Sequence, residues 1–193
     1  DAIGNFVLWL DSARALVAYF KVRGKRATLV ANAAWAPWAK ELDIFENVVA
    51  IDLKKFRRSP LYRYHVERSV RTLGCITAIE PTYSRTWLFG DAVIRTSGAK
   101  ERVGSVGDGS HLGGWRMQIS NRWYTRLLPA DPTPCMELER NAEFLRNLGV
   151  TDFRAKLPML DRDKVRGGDI LFNAAIAGKP FYVLFPGASG KGK

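Results

Sequence analysis

The sequence predicts an α/β fold: a Rossmann-like parallel sheet with helices on both faces. Short, nearly continuous apolar runs at 26–33, 48–53 and 75–79 are typical of strands that are buried on both faces. Segments with helical patterning separate these runs, and this alternation is characteristic of parallel sheets. Gly74 and Gly98 each follow a helical segment at the position where glycine commonly ends a helix.

The first elements follow directly from the amino terminus. An apolar segment rich in helix formers predicts a helix over 6–20, with Asn5 as its N-cap and Gly4 in the preceding turn. A buried strand is expected over 26–33, and a short helix over 34–42.

The remainder of the chain continues the alternation as far as its glycine-rich end. Five glycines between 104 and 114 predict an exposed loop, and 161–178 predicts a helix or a linker. The other predicted elements are strands at 48–53, 75–79, 102–105 and 181–185 and helices at 60–73, 84–96 and 137–148.

The charge balance favours an anionic partner. Thirty Lys and Arg residues against nineteen Asp and Glu give a net charge of +11. Such a charge attracts nucleic acid, an anionic membrane surface, or a phosphorylated or carboxylated substrate, although it can also serve only solubility. No apolar run reaches the roughly 18 residues of a membrane span, so we expect any membrane contact to be peripheral.

Cysteine and histidine usage predicts no metal site. Cys75 and Cys135 have neither zinc-ligand spacing nor a disulfide framework, and we expect Cys75 to pack in the core. His65 and His111 are isolated from other ligand types. A reducing, cytoplasmic location fits this composition best.

The end of the sequence has the pattern of a phosphate-binding loop. The apolar run 181–185 leads into Pro186, Gly187, Ala188 and Ser189, and Lys193 follows. Glycine-rich loops after a strand present backbone N–H groups and nearby cations to phosphate oxygens. Gly187, Ser189 and Lys193 are therefore candidate phosphate-binding residues, although a flexible tail would show the same composition.

Three segments together resemble bacterial glycosyltransferase family nine, the ADP-heptose:lipopolysaccharide heptosyltransferases. DAIGNFVL at 1–8 resembles the amino-terminal Gly-Asp turn of that family, and SGAKERVG at 97–104 resembles its Gly-Ala-x-x-Arg-Ile-Gly segment. FPGAS at 185–189, with Lys193, resembles its phosphate loop. The order of the three segments also matches.

The resemblance implies the amino-terminal half of a GT-B enzyme. Residues 1–158 would form the acceptor-side domain without its first strand, 159–179 a linker, and 180–193 the start of a nucleotide-sugar domain. The implied activity is inverting, metal-independent and cofactor-free transfer from a nucleotide sugar such as ADP-heptose to an anionic lipopolysaccharide acceptor. It would take place in the cytoplasm, peripherally at the inner membrane, without nucleic acid.

The resemblance also assigns the candidate catalytic positions. Asn5 stands where the family carries its aspartate base, and an amide does not accept a proton at neutral pH. Asp1 could substitute as the base, but Asn5 could equally serve only as a cap and Asp1 be merely solvated. An isolated acceptor domain is expected not to turn over, because donor and acceptor must be held together.

The candidate acceptor-binding residues are arginines that follow predicted strands or flank aromatic residues. A solvated charge run or aromatic packing would explain the same pattern. These candidates are Arg57, Arg58, Arg63, Arg85, Arg116 and Arg126. The competing interpretation is a non-catalytic Rossmann-like protein that binds anionic glycolipid or nucleic acid.

Overall fold

The computed structural model describes residues 3–159. They lie in the first of the two units into which the chain divides, Asp1–Met159. The elements predicted at 161–178 and 181–185 lie outside the described residues. The division of the sequence into 1–158, 159–179 and 180–193 stays a prediction.

Within residues 3–159 the chain alternates helices with short strands. The helices are α1 (Ile3–Lys21), α2 (Ala36–Glu41), α3 (Leu53–Arg58), α4 (Pro60–Thr72), a π-helix (Trp87–Asp91), α5 (Ala92–Thr96), α6 (Gly114–Asn121) and α7 (Glu137–Leu148). The strands are β1 (Thr28–Asn32), β2 (Asn47–Ile51), β3 (Thr77–Glu80), β4 (Glu101–Ser105) and β5 (Arg126–Leu128).

The strands are parallel, but they form two hydrogen-bonded sheets where one was expected. In the first sheet β1 pairs with β2, with Thr28 opposite Asn47. In the second, β3, β4 and β5 are neighbours in that order, with Thr77 opposite Glu101 and Val103 opposite Arg126. The described residues thus form a mixed α/β fold with short parallel sheets flanked by helices, compatible with a Rossmann-like architecture.

Helix α1 supplies side chains to the cores of both sheets. Near its start, Leu10 is fully buried in a cluster with Ala31 of β1. Further along, Leu16 packs in a second cluster with Val103 of β4. Trp9 packs against both clusters. Burial of apolar surface along the length of α1 therefore links two sheets that share no strand pairing.

The amino-terminal helix and the segment 84–96 differ from the prediction. Helix α1 begins at Ile3, so Asn5 is an exposed residue in its first turn and the prediction of an N-cap at Asn5 was wrong. The predicted helix over 84–96 is a loop followed by the π-helix and α5. Thr86 is the N-cap of the π-helix, and its hydroxyl accepts a hydrogen bond from the Gly90 N–H.

Helix ends marked by glycine agree with the prediction. Gly74, Gly98 and Gly149 all follow helices with positive φ, a backbone conformation that glycine adopts without a Cβ clash. Helix α3, helix α6 and strand β5 were not predicted. In the described part of the chain no helix combines the length and the apolar character that crossing a bilayer requires.

Candidate functional site

A basic groove lies where the chain leaves β2. Its volume is about 430 Å³, and Leu53, Lys54, Arg57, Arg58 and Phe89 line it. The three cations are spaced i, i+3 and i+4 along α3, so they share one face of that helix. We call this feature the basic groove.

The position of α3 follows from its caps. Asp52 follows β2, and its side chain accepts a hydrogen bond of 2.9 Å from the Lys55 N–H. Asp52 also donates its own N–H to the Tyr62 hydroxyl at 3.1 Å, which ties α3 to α4. Phe56, on the inner side of α3, is fully buried, and the centre of its ring lies 5.8 Å from that of Phe89. These contacts hold the exposed cations at the carboxyl end of β2, where ligands bind in open α/β sheets.

The charges of the basic groove are not neutralised by the described part of the protein. Lys55 has Asp52 at 3.9 Å, whereas no carboxylate among residues 3–159 lies within ion-pair distance of Lys54, Arg57 or Arg58. Three neighbouring cations repel one another, and an anion bound between them removes that repulsion. Arginine in particular binds phosphate and carboxylate through two parallel hydrogen bonds.

Arg63 supports the groove and does not line it. Its Nε donates to the Phe56 carbonyl at 3.1 Å, and its Nη2 donates to the Arg57 carbonyl at 3.3 Å. The guanidinium lies 5.7 Å from the centre of the Phe56 ring. Arg63 thus satisfies carbonyl groups at the end of α3, which would otherwise lack partners. Its predicted contact with an acceptor stays a prediction.

Arg85 lies in the interior, in a network of polar side chains. It is 2% exposed, and its Nη1 lies 3.6 Å from Oδ1 of Asp91, which is 0% exposed. Its Nη2 donates to the Asn121 side chain at 2.5 Å, and its guanidinium lies 4.8 Å from the Tyr124 ring centre. Ser120 donates its hydroxyl to Asp91. We call Arg85, Asp91, Ser120, Asn121 and Tyr124 the buried network. These contacts would have to open before Arg85 could contact a ligand.

Glu80, at the carboxyl end of β3, adjoins the buried network. Glu80 as a whole is half-buried, but its carboxyl group packs in the interior against Gly90. Burial raises the pKa of Glu80 above the 4.5 of free glutamate, and hydrogen bonds from Thr82 oppose this only in part. The pKa of Tyr124 is also raised, first by burial and then by the negative charges of Glu80 and Asp91.

Arg116 and Arg126 lie on different parts of the surface. Arg116 is exposed on α6, with its guanidinium 5.3 Å from the centre of the Trp115 ring. Arg126 begins β5, so it lies at the end of that strand opposite to the carboxyl edge. It donates to the Asn147 carbonyl at 2.9 Å, near the end of α7.

Of the predicted site residues, the structure brings Arg57 and Arg58 into one groove and places Arg63 behind them. Asn5 is exposed in α1, and Asp1, Gly187, Ser189 and Lys193 lie outside the described residues. Sequence reasoning missed Phe89 as a wall of the groove, because the contact between Phe56 and Phe89 joins positions far apart in the chain. Lys54 could have been found from its i, i+3, i+4 spacing with Arg57 and Arg58.

The π-helix connects the groove with the buried network. Phe89 lines the groove, whereas Asp91, two residues later, is the acceptor at the centre of the network. Short π-helical segments occur frequently at functional sites. Among residues 3–159 no cluster of His, Cys, Asp and Glu has an arrangement that could hold a metal ion.

Comparison with known proteins gave no match: no protein-family model, curated protein or solved structure is significantly similar to this chain.

Proposed function

We propose that this chain is the acceptor-binding part of a glycosyltransferase of the heptosyltransferase type, and that the basic groove holds the phosphates of a lipopolysaccharide-core acceptor. The observation that carries the proposal is the groove itself: Lys54, Arg57 and Arg58 share one face of α3 without a carboxylate partner in the described chain. The resemblance of residues 1–8 and 97–104 to glycosyltransferase family nine supplies the reaction class.

The groove has the chemistry that an anionic sugar acceptor requires. Two arginines offer paired N–H donors for phosphate oxygens, and Lys54 adds a mobile charge. The apolar surfaces of Leu53 and Phe89 lie beside these cations. A phosphorylated sugar presents both anionic oxygens and apolar C–H faces, so the groove can contact both parts of it.

Transfer with inversion needs a base for the acceptor hydroxyl and donors for the leaving diphosphate. Asn5 does not supply that base, because an amide does not take up a proton at neutral pH. Gly187, Ser189 and Lys193 remain the proposed diphosphate ligands. The donor in this proposal is a nucleotide sugar such as ADP-heptose, and no metal or other cofactor takes part.

The test measures the affinity of the 193-residue chain for core oligosaccharide freed of its acyl chains, by titration calorimetry. Removal of the phosphates from the oligosaccharide is expected to abolish measurable binding. R57A/R58A is expected to weaken binding of the phosphorylated form by about tenfold or more, since hydrogen bonds to charged groups are among the strongest. K100A/R154A also removes two exposed cations and is the charge-matched control.

Two results would contradict the proposal. Equal affinity for the phosphorylated and dephosphorylated oligosaccharides would show that the groove does not recognise phosphate on a sugar. Tighter, steeply salt-dependent binding of a single-stranded oligonucleotide that also requires Arg57 and Arg58 would favour a nucleic-acid-binding protein.

A further inference from the structure

Helix α6 turns Ser120 and Asn121 inward, beside the half-buried Met117, and turns Trp115 and Ile119 outward. Ser120 is 0% exposed and Asn121 is half-buried, and both bond to the buried network. Trp115, by contrast, is 62% exposed and Ile119 is 38% exposed. Large apolar residues of a surface helix ordinarily face the protein core, so the outward direction of Trp115 and Ile119 is unusual.

Trp115 and Ile119 form one continuous stripe. They are four residues apart, the spacing at which side chains are neighbours on a helix. Arg122 lies three residues beyond Ile119 on the same face and is exposed, and Arg116 lies beside Trp115. We call this surface, Trp115, Arg116, Ile119 and Arg122, the α6 face.

The surroundings of the α6 face are cationic. Between positions 106 and 123 the sequence holds one acidic residue, Asp108, against two cations, Arg116 and Arg122. Asp108 accepts hydrogen bonds from Ser84 at 3.0 Å and from the Ser110 N–H at 3.0 Å, which hold its carboxylate in place.

Side-chain contacts fix the direction in which Trp115 points. Its ring lies 6.1 Å from that of Trp87, which in turn lies 4.5 Å from that of Trp123. Arg95 lies over Trp123 at 5.0 Å. Because Ser120 on the inner side of α6 bonds to buried Asp91, rotating the helix to hide Trp115 would break hydrogen bonds in the interior.

We propose that the α6 face docks this protein on an anionic phospholipid surface. Tryptophan favours the boundary between lipid headgroups and acyl chains, and Ile119 would insert beside it. The guanidinium groups of Arg116 and Arg122 would then face the lipid phosphates. No residue of the α6 face lines the basic groove, so docking would not require the ligand of that groove.

The arrangement of the aromatic rings favours lipid over single-stranded nucleic acid. A nucleic-acid platform offers the faces of successive rings to stacked bases. Here Trp87 and Trp123 are half-buried, and the three rings meet at interplanar angles of 61° and 46°. Only Trp115 of these three is exposed enough to meet a partner.

The test is flotation of the full chain with vesicles of phosphatidylcholine alone or with added phosphatidylglycerol. Binding is expected only to the anionic vesicles. W115A/I119S is expected to weaken partitioning by about tenfold or more through lost apolar burial. R116Q and R122Q are each expected to weaken it by about fivefold, the contribution of one cation near an anionic surface. Vesicles containing brominated lipid should quench the fluorescence of the parent more than that of W115F.

Matched variants separate this proposal from general stickiness and from the proposed function. L61S/Y64S removes two exposed apolar side chains from α4 and should leave flotation unchanged. R57A/R58A should alter flotation no more than K100A/R154A does, and W115A/I119S should still bind the acyl-free oligosaccharide. Unchanged flotation of W115A/I119S would overturn the proposal, as would an oligonucleotide that binds through Trp115 and displaces the vesicles.

Discussion

The hydroxyl of Tyr124 donates a hydrogen bond of 2.6 Å to Oδ1 of Asp91, across 33 positions of sequence. Both residues are buried, and Asp91 also accepts a hydrogen bond from Ser120. One carboxylate in the interior thus joins the π-helix, α6 and the segment before β5. A buried carboxylate is stable only when it is paired and hydrogen-bonded, so these elements must come together for Asp91 to be accommodated.

Removing the Asp91 carboxylate should destabilise the fold strongly. Asp91→Ala leaves the charge of Arg85 buried without its counter-ion, and breaking a buried ion pair in this way costs about 3–5 kcal/mol. Chemical denaturation should show this loss in the free energy of unfolding. R85M/D91A removes both charges and should lose less than Asp91→Ala alone.

The exposed pair Arg26–Glu46 is the control for Asp91→Ala. Its atoms lie 2.8 Å apart, closer than those of Arg85 and Asp91, but the two side chains are 82% and 50% exposed. Glu46→Ala should therefore cost only about 0–1 kcal/mol. A cost for Asp91→Ala as small as that for Glu46→Ala would show that the buried network is not a unit of stability.

Adding a methyl group at Gly104 of β4 should disrupt the buried network through Tyr124. A Cβ built at Gly104 would collide with the ring of Tyr124, whose hydroxyl and face are held by Asp91 and Arg85. Gly104→Ala should destabilise the protein by about 1–3 kcal/mol, as overpacking does in other cores. Thermal unfolding would measure the loss.

Gly114→Ala is the matched control for Gly104→Ala. Nothing lies within 4 Å of a Cβ at Gly114, which is the first residue of α6. Alanine has the better helix propensity, so this variant should unfold at the same temperature as the parent or a higher one. If both variants lost stability equally, the loss would not come from the contact with Tyr124.

The helix ends and the apolar strands could be predicted because their signals are local. Gly74 and Gly98 follow helices at the predicted places, and the strand runs correspond to β1–β4 with small shifts in their bounds. The site was partly predictable for the same reason: Arg57 and Arg58 follow a strand in a dense basic run, and both line the groove.

The polar interior could not be predicted, because it depends on contacts between distant positions. Arg140 follows the charge spacing of a solvated helix face, as the sequence of α7 suggests, yet it is 7% exposed. It donates to the carbonyls of Asp131 and Thr133, and its guanidinium lies 4.1 Å from the Tyr83 ring. Helix α6 was missed because two of its inward residues, Ser120 and Asn121, are polar, so its sequence lacks the apolar stripe that marks a surface helix.

Arg63 should matter for stability more than its charge alone suggests. Arg63→Ala removes two hydrogen bonds to the carbonyls of Phe56 and Arg57 at the end of α3. We expect a loss of about 1–2 kcal/mol in the free energy of unfolding, measured by urea denaturation.

Arg57→Ala is the comparison for Arg63→Ala. The Arg57 side chain is exposed and makes no ion pair within residues 3–159, so the change should stay within about 0.5 kcal/mol. Equal stability of the two variants, together with weaker oligosaccharide binding by Arg63→Ala, would return Arg63 to the set of acceptor ligands.

Glu80 should make stability depend on pH in a direction unusual for a carboxylate. Because burial raises its pKa above 4.5, the folded chain binds this proton more tightly than the unfolded chain does. The free energy of unfolding should therefore lose a contribution as pH rises from 4.5 through the folded pKa. The Glu80→Gln side chain does not ionise, and its amide oxygen can still accept a hydrogen bond from the Thr82 N–H. The stability of Glu80→Gln relative to the parent should thus increase with pH across that window.

Asp131→Asn provides the comparison of opposite sign. Hydrogen bonds from Thr133 lower the pKa of Asp131 below 3.8, so its contribution is present above that pH and is lost as pH falls. Denaturation curves at several pH values from acid to neutral should then place the two effects in separate windows. A stability difference between Glu80→Gln and the parent that stays constant with pH would mean that Glu80 ionises in the folded protein as it does in the unfolded chain, and that its carboxyl is reached by water.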